Sequence, residues 1–304
     1  MTPLADLHRH LDGSLRPSTV RALAAQQGIV VPHDLVFHAG MGLEAALGRF
    51  AFTLSLLQEP EAVRRVAAEI CEDARQEGVE TLEIRFAPQL HRRAPIEAVV
   101  EAALEGIAGR AGLVLCGLYG EPVETMDRLV EVAAALPGVV GIDLAGGPAS
   151  GHAVRLSDYA APFRRAADLG IGRTVHAGEG RPAEEIRVAI EALVAQRIGH
   201  GTTVLEDAAV VDLVLARGVV IEACPTSNVH TGVIGSVAAH PLPRWIDLGI
   251  RCCVNTDNTL LSGVSAREEH ARARGIPGMD DARIARAIAT GHEACFARSP
   301  FVAR

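Results

Sequence analysis

Short apolar runs alternate with helical patterns along most of the chain. The apolar runs, typical of buried parallel strands, follow an opening strand that contains Leu4 and Leu7 and occupy residues 79–86, 113–118, 139–144, 171–176, 197–200, 218–223 and 250–256. The helical patterns follow these strands at 95–109, 122–135, 157–169, 182–195, 206–216 and 241–248, and at 265–273 and 280–296. Eight such units predict a (β/α)8 TIM barrel, an α/β fold, with residues 1–304 as a single domain. An open doubly wound sheet is the alternative, but the Gly-x-Gly-x-x-Gly fingerprint is absent after the first strand.

The first and second predicted strands are separated by an insertion longer than one helix. Ser18 and Thr19 could cap a helix that runs from Val20 to Gln27, and Pro60 opens a second helix that Gly78 closes. Residues 29–58 between them are less regular and contain several Phe and Leu residues. This apolar group could belong to the core or form a lid over a substrate, and both interpretations stay open.

Composition and charge narrow the class of protein. The 304 residues are 49% hydrophobic and 22% charged, and the net charge of −8 argues against nucleic acid or an anionic membrane as a partner. No apolar run approaches the length of about 20 residues that a membrane helix needs, and the N-terminus lacks the pattern of a secretory signal. The six cysteines form no Cys-x-x-Cys motif, which favours reduced thiols in a cytoplasmic protein.

All 29 basic residues are arginine. The absence of lysine excludes Schiff-base catalysis, pyridoxal phosphate attachment and a P-loop lysine. It also excludes the carboxylated lysine that bridges two metal ions in many barrel hydrolases. The chain therefore has to perform its chemistry with other side chains.

Polar side chains are concentrated where the predicted strands end. In a barrel of this type the carboxyl ends of the strands build the active site. His8 and His10 are two residues apart on the first strand, so they share a face with Cα atoms roughly 6.6 Å apart at about 3.3 Å per residue. His176, His200 and Asp257 lie at the ends of the fifth, sixth and eighth strands.

Four of these residues form a set that suits a zinc ion. The set offers three neutral nitrogens and one carboxylate, with a water completing a catalytic site: His8, His10, His176 and Asp257. Such an ion lowers the pKa of its water towards 7. His200 is then free to orient or deprotonate that water, and Glu179 can reach the substrate as a proton donor.

Five motifs in this order resemble those of the adenosine deaminases of the amidohydrolase superfamily, and the resemblance covers nearly the whole chain. They are LHRHLDG at 7–13, IDLAG at 142–146, VHAGE at 175–179, RIGHG at 197–201 and NTD at 255–257, with weaker matches in EIRFAP at 83–88 and CPTSN at 224–228. The resemblance implies one catalytic zinc ion per chain, held by His8, His10, His176 and Asp257. It further implies hydrolytic deamination of a 6-aminopurine nucleoside, in which adenosine and water give inosine and ammonia.

The resemblance also assigns roles in catalysis and substrate binding. Glu179 is implied to protonate N1 of the purine, while His200 steadies the attacking oxygen and helps deliver a proton, with Asp257 assisting. Gly146 matches a backbone contact to the N3 edge, and Asp12 matches a residue that binds a sugar hydroxyl. Asn258 stands where the family usually has a second aspartate, but an amide can still donate to N7.

The motifs define the reaction more closely than they define the substrate. Gly147 replaces a residue that is often acidic in the family, and residues 116–120 lack the expected basic side chains. These differences bear on the group attached to N9. Adenosine is the default substrate, and 6-amino-6-deoxyfutalosine is the alternative. Free adenine is less favoured, and a mononuclear-zinc barrel hydrolase acting on an ester, lactone or amide is the rival from another class.

Overall fold

Eight parallel strands form one sheet in the order β1 to β8 in the computed structural model, which describes residues 2–147 and 152–297. The strands are β1 Leu4–His10, β2 Val79–Phe86, β3 Gly112–Leu118, β4 Val139–Ala145, β5 Gly172–Ala177, β6 Arg197–His200, β7 Val220–Ala223 and β8 Arg251–Val254. The sheet closes between its first and last strands, because the amide of His10 donates to the carbonyl of Asp257 at 2.7 Å and the amide of Asp257 donates to the carbonyl of His8 at 2.8 Å. The predicted (β/α)8 barrel is confirmed.

Helices follow the strands around the barrel. They are α1 Pro17–Gln27, α2 Leu43–Leu56, α3 Pro60–Glu77, α4 Ile96–Ile107, α5 Val123–Ala135, α6 Ala160–Asp168, α7 Glu184–Glu191, α8 Ala208–Arg217, α9 Pro225–His230, α10 Leu242–Asp247, α11 Ala266–Arg274 and α12 Asp281–Ala294. Within the described residues, none of them combines the length and the apolar character that crossing a membrane requires. The predicted insertion after β1 is present and consists of α1, α2 and α3 with their connecting loops.

The structure corrects three local predictions. Helix α1 begins at Pro17 rather than Val20, since proline with its fixed φ suits the first helical position, and Arg16 rather than Ser18 or Thr19 precedes the helix. Residues 29–58 include the 14-residue helix α2 and are thus not uniformly irregular. The stretch after β7, where the sequence predicted no helix before residue 241, contains the short helix α9, which has proline at its start.

The core lies between the strands and the outer helices, whereas the barrel interior contains charged side chains. Helix α3 buries an apolar face that includes Val63, Val66 and Ile70. Arg85 of β2 reaches Glu222 of β7, a contact that crosses the interior of the barrel. Both of these side chains are fully buried and paired, as buried charges usually are. The charges therefore lie directly beneath the carboxyl ends of the strands.

Candidate metal and active site

The structure brings together the four residues that the sequence predicted as metal ligands. Nε2 of His10 lies 3.3 Å from Nε2 of His176 and 3.5 Å from Oδ1 of Asp257. Nε2 of His8 lies 3.6 Å from the same carboxylate oxygen. Two ligand atoms at about 2.0–2.1 Å from a tetrahedral zinc ion are about 3.4 Å apart, so the spacing of these side chains fits such an ion.

Two carboxylates orient the imidazoles of this set. Nδ1 of His8 lies 2.7 Å from Oε2 of Glu222, and Nδ1 of His176 lies 3.0 Å from Oδ2 of Asp143. With Nδ1 donating to a carboxylate, Nε2 keeps its lone pair for a metal ion, an arrangement that is common around bound metals. Nε2 of His8 is buried and has no hydrogen-bond partner in the structure, which adds to the fit with a cation.

Charge and burial determine the pKa values of the candidate ligands and of the carboxylates that contact them. Burial lowers the pKa of His8 and of His10 well below the ordinary value, so both imidazoles are neutral and able to act as ligands. Burial alone would raise the pKa of Asp143, but the charges of His176 and Arg85 outweigh it and hold that pKa far below its ordinary value. Asp143 is therefore an ionised acceptor for His176.

His200 and Glu179 lie beside the ligand set. Nε2 of His200 is 3.7 Å from Oε2 of Glu179, and Nδ1 is 3.0 Å from the Asn228 side chain on α9. Burial lowers the pKa of His200 to about 3 and raises the pKa of Glu179 above its ordinary value. A neutral imidazole thus faces a carboxyl group that holds a proton more readily than in water.

Two site residues have strained backbone conformations. The φ angles of His200 and Asp257 are 65° and 61°, in the left-handed region that side chains with a Cβ rarely adopt. Such strain persists only where the surrounding structure over-determines it, and it is concentrated at functional sites. His200 is the last residue of β6 and Asp257 lies three residues beyond the end of β8, so the strain falls where these two strands lead into the site.

A cavity of about 430 Å³, the size of a small-molecule site, is lined by five of these residues: His10, His176, Glu179, His200 and Asp257. Its walls are largely apolar and come from α2, the loop before it and the ends of β2 to β4: Phe37, Leu43, Ala46, Leu47, Phe50, Leu54, Ala87, Leu90, Leu118 and Ala145. No arginine lines it among the described residues, while Asp12 and Glu121 do. The cavity therefore suits a neutral ligand better than an anion.

The three predicted substrate-binding residues also line this cavity. Burial raises the pKa of Asp12 to about 7, and its Oδ1 is buried without a partner among the residues that the structure describes. Gly146 has a φ of 72°, a conformation that suits glycine. The Asn258 amide packs so closely on Gly13 that a Cβ at Gly13 would lie 1.8 Å from Oδ1 of Asn258.

Sequence reasoning missed Glu222 and the role of Arg85. Both stand in strands that are otherwise mostly apolar, where a charged residue is expected to have a buried partner. A charged residue in such a strand indicates that a buried partner exists but does not identify it. Arg85 and Glu222 are 137 residues apart along the chain. Asp143 and Arg85 did fall within motifs that we recognised, although their contacts with the site could not be inferred.

Comparison with known proteins agrees with this geometry. The family model for adenosine deaminase matches residues 3–301. An adenosine deaminase of Clostridium acetobutylicum is 36% identical over 98% of this chain and 94% of its own length. Among solved structures, an adenine deaminase from Arthrobacter aurescens has a TM-score of 0.87 and 26% identity, covering 98% of this chain and 95% of the other. Arabidopsis ADAL in complex with IMP has a TM-score of 0.86 and 25% identity, covering 98% and 93%.

The family match extends across nearly the whole barrel and includes every residue of the candidate site. The relative at 36% identity is likewise covered almost from end to end. The resemblance inferred from the motifs is therefore confirmed. The chain belongs to the adenosine deaminase family, hydrolases that act on the C–N bond of a cyclic amidine.

Proposed function

We propose that this protein catalyses the zinc-dependent hydrolytic deamination of adenosine to inosine and ammonia. The observation that supports it best is the cluster of imidazole and carboxylate groups at the cavity, with His200 and Glu179 on its edge. That cluster can hold one metal ion and still offer a proton acceptor and a proton donor. Family membership supports the same reaction.

The residues suited to hold the zinc ion are the four that approach one another at the strand ends: His8, His10, His176 and Asp257. When bound, a zinc ion supplies Lewis-acid activation of water at neutral pH. Glu222 and Asp143 keep His8 and His176 in the tautomer that leaves Nε2 free.

The remaining site residues move protons and orient the substrate. Glu179, protonated more readily because of its burial, would donate to N1 of the purine as the amino group is displaced. His200, which has a ring nitrogen within 4.8 Å of ligand atoms of His8 and His176, would accept a proton from the attacking water, with Asp257 assisting. In this assignment Gly146 contacts the N3 edge through its backbone, the Asn258 amide donates to N7, and Asp12 binds a sugar hydroxyl.

Several observations support a neutral nucleoside as the substrate. The curated relatives are adenosine deaminases, so the alternative, 6-amino-6-deoxyfutalosine, is not favoured. The two solved relatives described above are an adenine deaminase and a protein in complex with a nucleotide. Among the described residues no arginine lines this cavity, and the chain has no lysine, which disfavours the phosphate of a nucleotide.

We also propose a cytoplasmic location. All six cysteines are free and five of them are buried. Reduced thiols are typical of proteins in a reducing compartment.

The proposal is tested with zinc-loaded protein and a panel of 6-aminopurines. Adenosine, 2′-deoxyadenosine, adenine, 5′-methylthioadenosine, 6-amino-6-deoxyfutalosine and AMP would be followed by the ultraviolet change on deamination. We expect adenosine to be turned over and AMP to be a poor substrate. Removing zinc with a chelator should abolish turnover and adding zinc should restore it. Absence of turnover with every purine would overturn the proposal.

Substitution of Glu179 separates the deaminase from the rival barrel hydrolase. A positioned proton donor is worth about 100- to 10,000-fold in rate, so Glu179→Gln should lower kcat by that factor and leave the zinc content unchanged. Glu185→Gln is the matched control, because Glu185 is a nearby partly buried glutamate that pairs with Arg181 outside the cavity lining. An esterase or lactonase would keep most of its activity in both variants.

A further inference from the structure

A buried arginine on β2 lies beneath the candidate metal ligands and has no role in the proposed reaction. Nη1 of Arg85 donates to Oδ2 of Asp143 at 2.8 Å, and Nη2 donates to Oε2 of Glu222 at 2.9 Å and to the carbonyl of Leu7 at 2.5 Å. The side chain is completely buried. One guanidinium therefore contacts two carboxylates, which come from β4 and β7.

Each of these carboxylates also contacts a candidate metal ligand. Glu222 accepts from Nδ1 of His8, and Asp143 accepts from Nδ1 of His176. Arg85 Nη2 and His8 Nδ1 share the same oxygen of Glu222. An unbroken chain of hydrogen bonds thus runs from one imidazole through Arg85 to the other.

The geometry of the guanidinium suits it to this position. Its donors form a planar, rigid fork, whereas the ammonium of a lysine is a single point charge on a flexible stem. The fork fixes the separation of Asp143 and Glu222, and each carboxylate then fixes the tautomer and orientation of its imidazole.

We propose that Arg85 is a positioning residue for the metal site, which clamps Asp143 and Glu222 and thereby orients His176 and His8 together. The inference rests on the proposed function, in which these histidines hold the zinc ion. Glu222 is held from its other side by Arg197 Nε at 2.7 Å and Thr174 Oγ1 at 3.0 Å. The carboxylate is thus fixed before any metal binds.

The alternative is that Arg85 only neutralises buried carboxylates and stabilises the barrel. Arg85→Lys separates the two explanations, because it keeps the positive charge and loses the fork. Arg9 provides a matched control. It is also fully buried and donates to two carboxylates, Asp6 Oδ2 and Glu77 Oε2, both at 2.9 Å. Within the part of the chain that the structure describes, neither carboxylate accepts from an imidazole; Asp6 contacts the candidate ligands only through the backbone, by accepting from the amides of His8 and of Thr256, the residue before Asp257.

The experiment measures zinc release from the loaded enzyme into excess chelator. Loss of the hydrogen-bond partner of a metal-binding histidine typically costs about 10- to 100-fold in metal affinity. Arg85 acts one hydrogen bond further out, through Asp143 and Glu222, so Arg85→Lys should release zinc faster by up to about that factor. Arg9→Lys should release zinc at close to the wild-type rate. The absorption spectrum of cobalt-substituted protein should change in Arg85→Lys and stay unchanged in Arg9→Lys.

Glu222→Gln covers the case in which Arg85→Lys does not fold, since it keeps the size of the side chain and one acceptor oxygen. It too should release zinc faster. Wild-type release rates in the Arg85 and Glu222 variants, or equally fast release in Arg9→Lys, would overturn this inference alone. A wild-type protein that retains no zinc would overturn the proposed metal site, and this inference with it.

Discussion

Replacing Glu269 with glutamine should make the folding stability of this protein less dependent on pH. Glu269 lies on α11, is 1% exposed, and accepts from the amide and the hydroxyl of Thr226. Thr226 is in the first turn of α9, the helix that places Asn228 against His200. Burial raises the pKa of Glu269 from 4.5 to about 7, although Thr226 and Arg272 oppose the shift.

The size and sign of the effect follow from this shift. A carboxyl group with a raised folded-state pKa stabilises the fold fully below its unfolded pKa and loses that contribution as pH rises through the folded pKa. At about 1.4 kcal/mol per unit, the shift makes wild-type stability fall by about 2 to 3 kcal/mol between about pH 5 and about pH 8 because of Glu269. Glutamine does not titrate, so the variant lacks this part of the decline.

Urea unfolding at the two pH values measures the difference directly. The unfolding free energy of Glu269→Gln, relative to wild type, should rise by about 2 to 3 kcal/mol from the lower to the higher pH. Glu268→Gln is the matched control, since Glu268 is the exposed neighbour whose pKa is lowered by hydrogen bonds to Ser265. Parallel pH profiles of wild type and Glu269→Gln would refute the reasoning.

Two further variants test the packing around His8 and the proposed contact between Asp12 and the substrate sugar. Gly199→Ala would place a Cβ 3.0 Å from Cε1 of His8; it should displace that ring and lower the zinc content after dialysis, and full zinc retention would contradict this. Asp12→Asn should raise KM for adenosine and leave kcat near the wild-type value, because Asp12 is assigned to the sugar and not to the reacting carbon. It should also remove a titration near pH 7 from the profile of kcat/KM, since burial raises the pKa of Asp12 to about 7; an unchanged profile would argue against the assignment.

The strands were more predictable than the helices of the insertion. A parallel barrel strand is buried on both sides and gives a short apolar run, and each of the eight runs corresponds to a strand. Helix α2 was missed because Gly48, Thr53 and Ser55 interrupt its pattern and its apolar residues are not confined to one face. Helix α9 is six residues long, too short for a helical period to be recognised.

The histidines of the site were predictable because strand ends meet at one face of a barrel. His8 and His10 needed only the two-residue period of a strand, and His176 and His200 needed only the position where a strand stops. The buried network below them was not predictable, since its contacts cross the interior. Which strands face each other there depends on the tilt and register of the closed barrel, and these are properties of the assembled sheet.

The seam between β1 and β8 has a consequence for how the site is assembled. Asp257 pairs through its backbone with His8 and His10, so the residue that closes the barrel is also a candidate ligand. The two sides of the seam are separated by nearly the whole chain, as in the bond from Leu7 to Asn255 across 248 residues. Closing a loop of this length costs chain entropy before the contacts at the junction repay it. A metal ion bound by residues on both sides of this seam would stabilise the closed barrel against opening. Amide hydrogens of β1 and β8 should therefore exchange more slowly in the zinc-loaded protein.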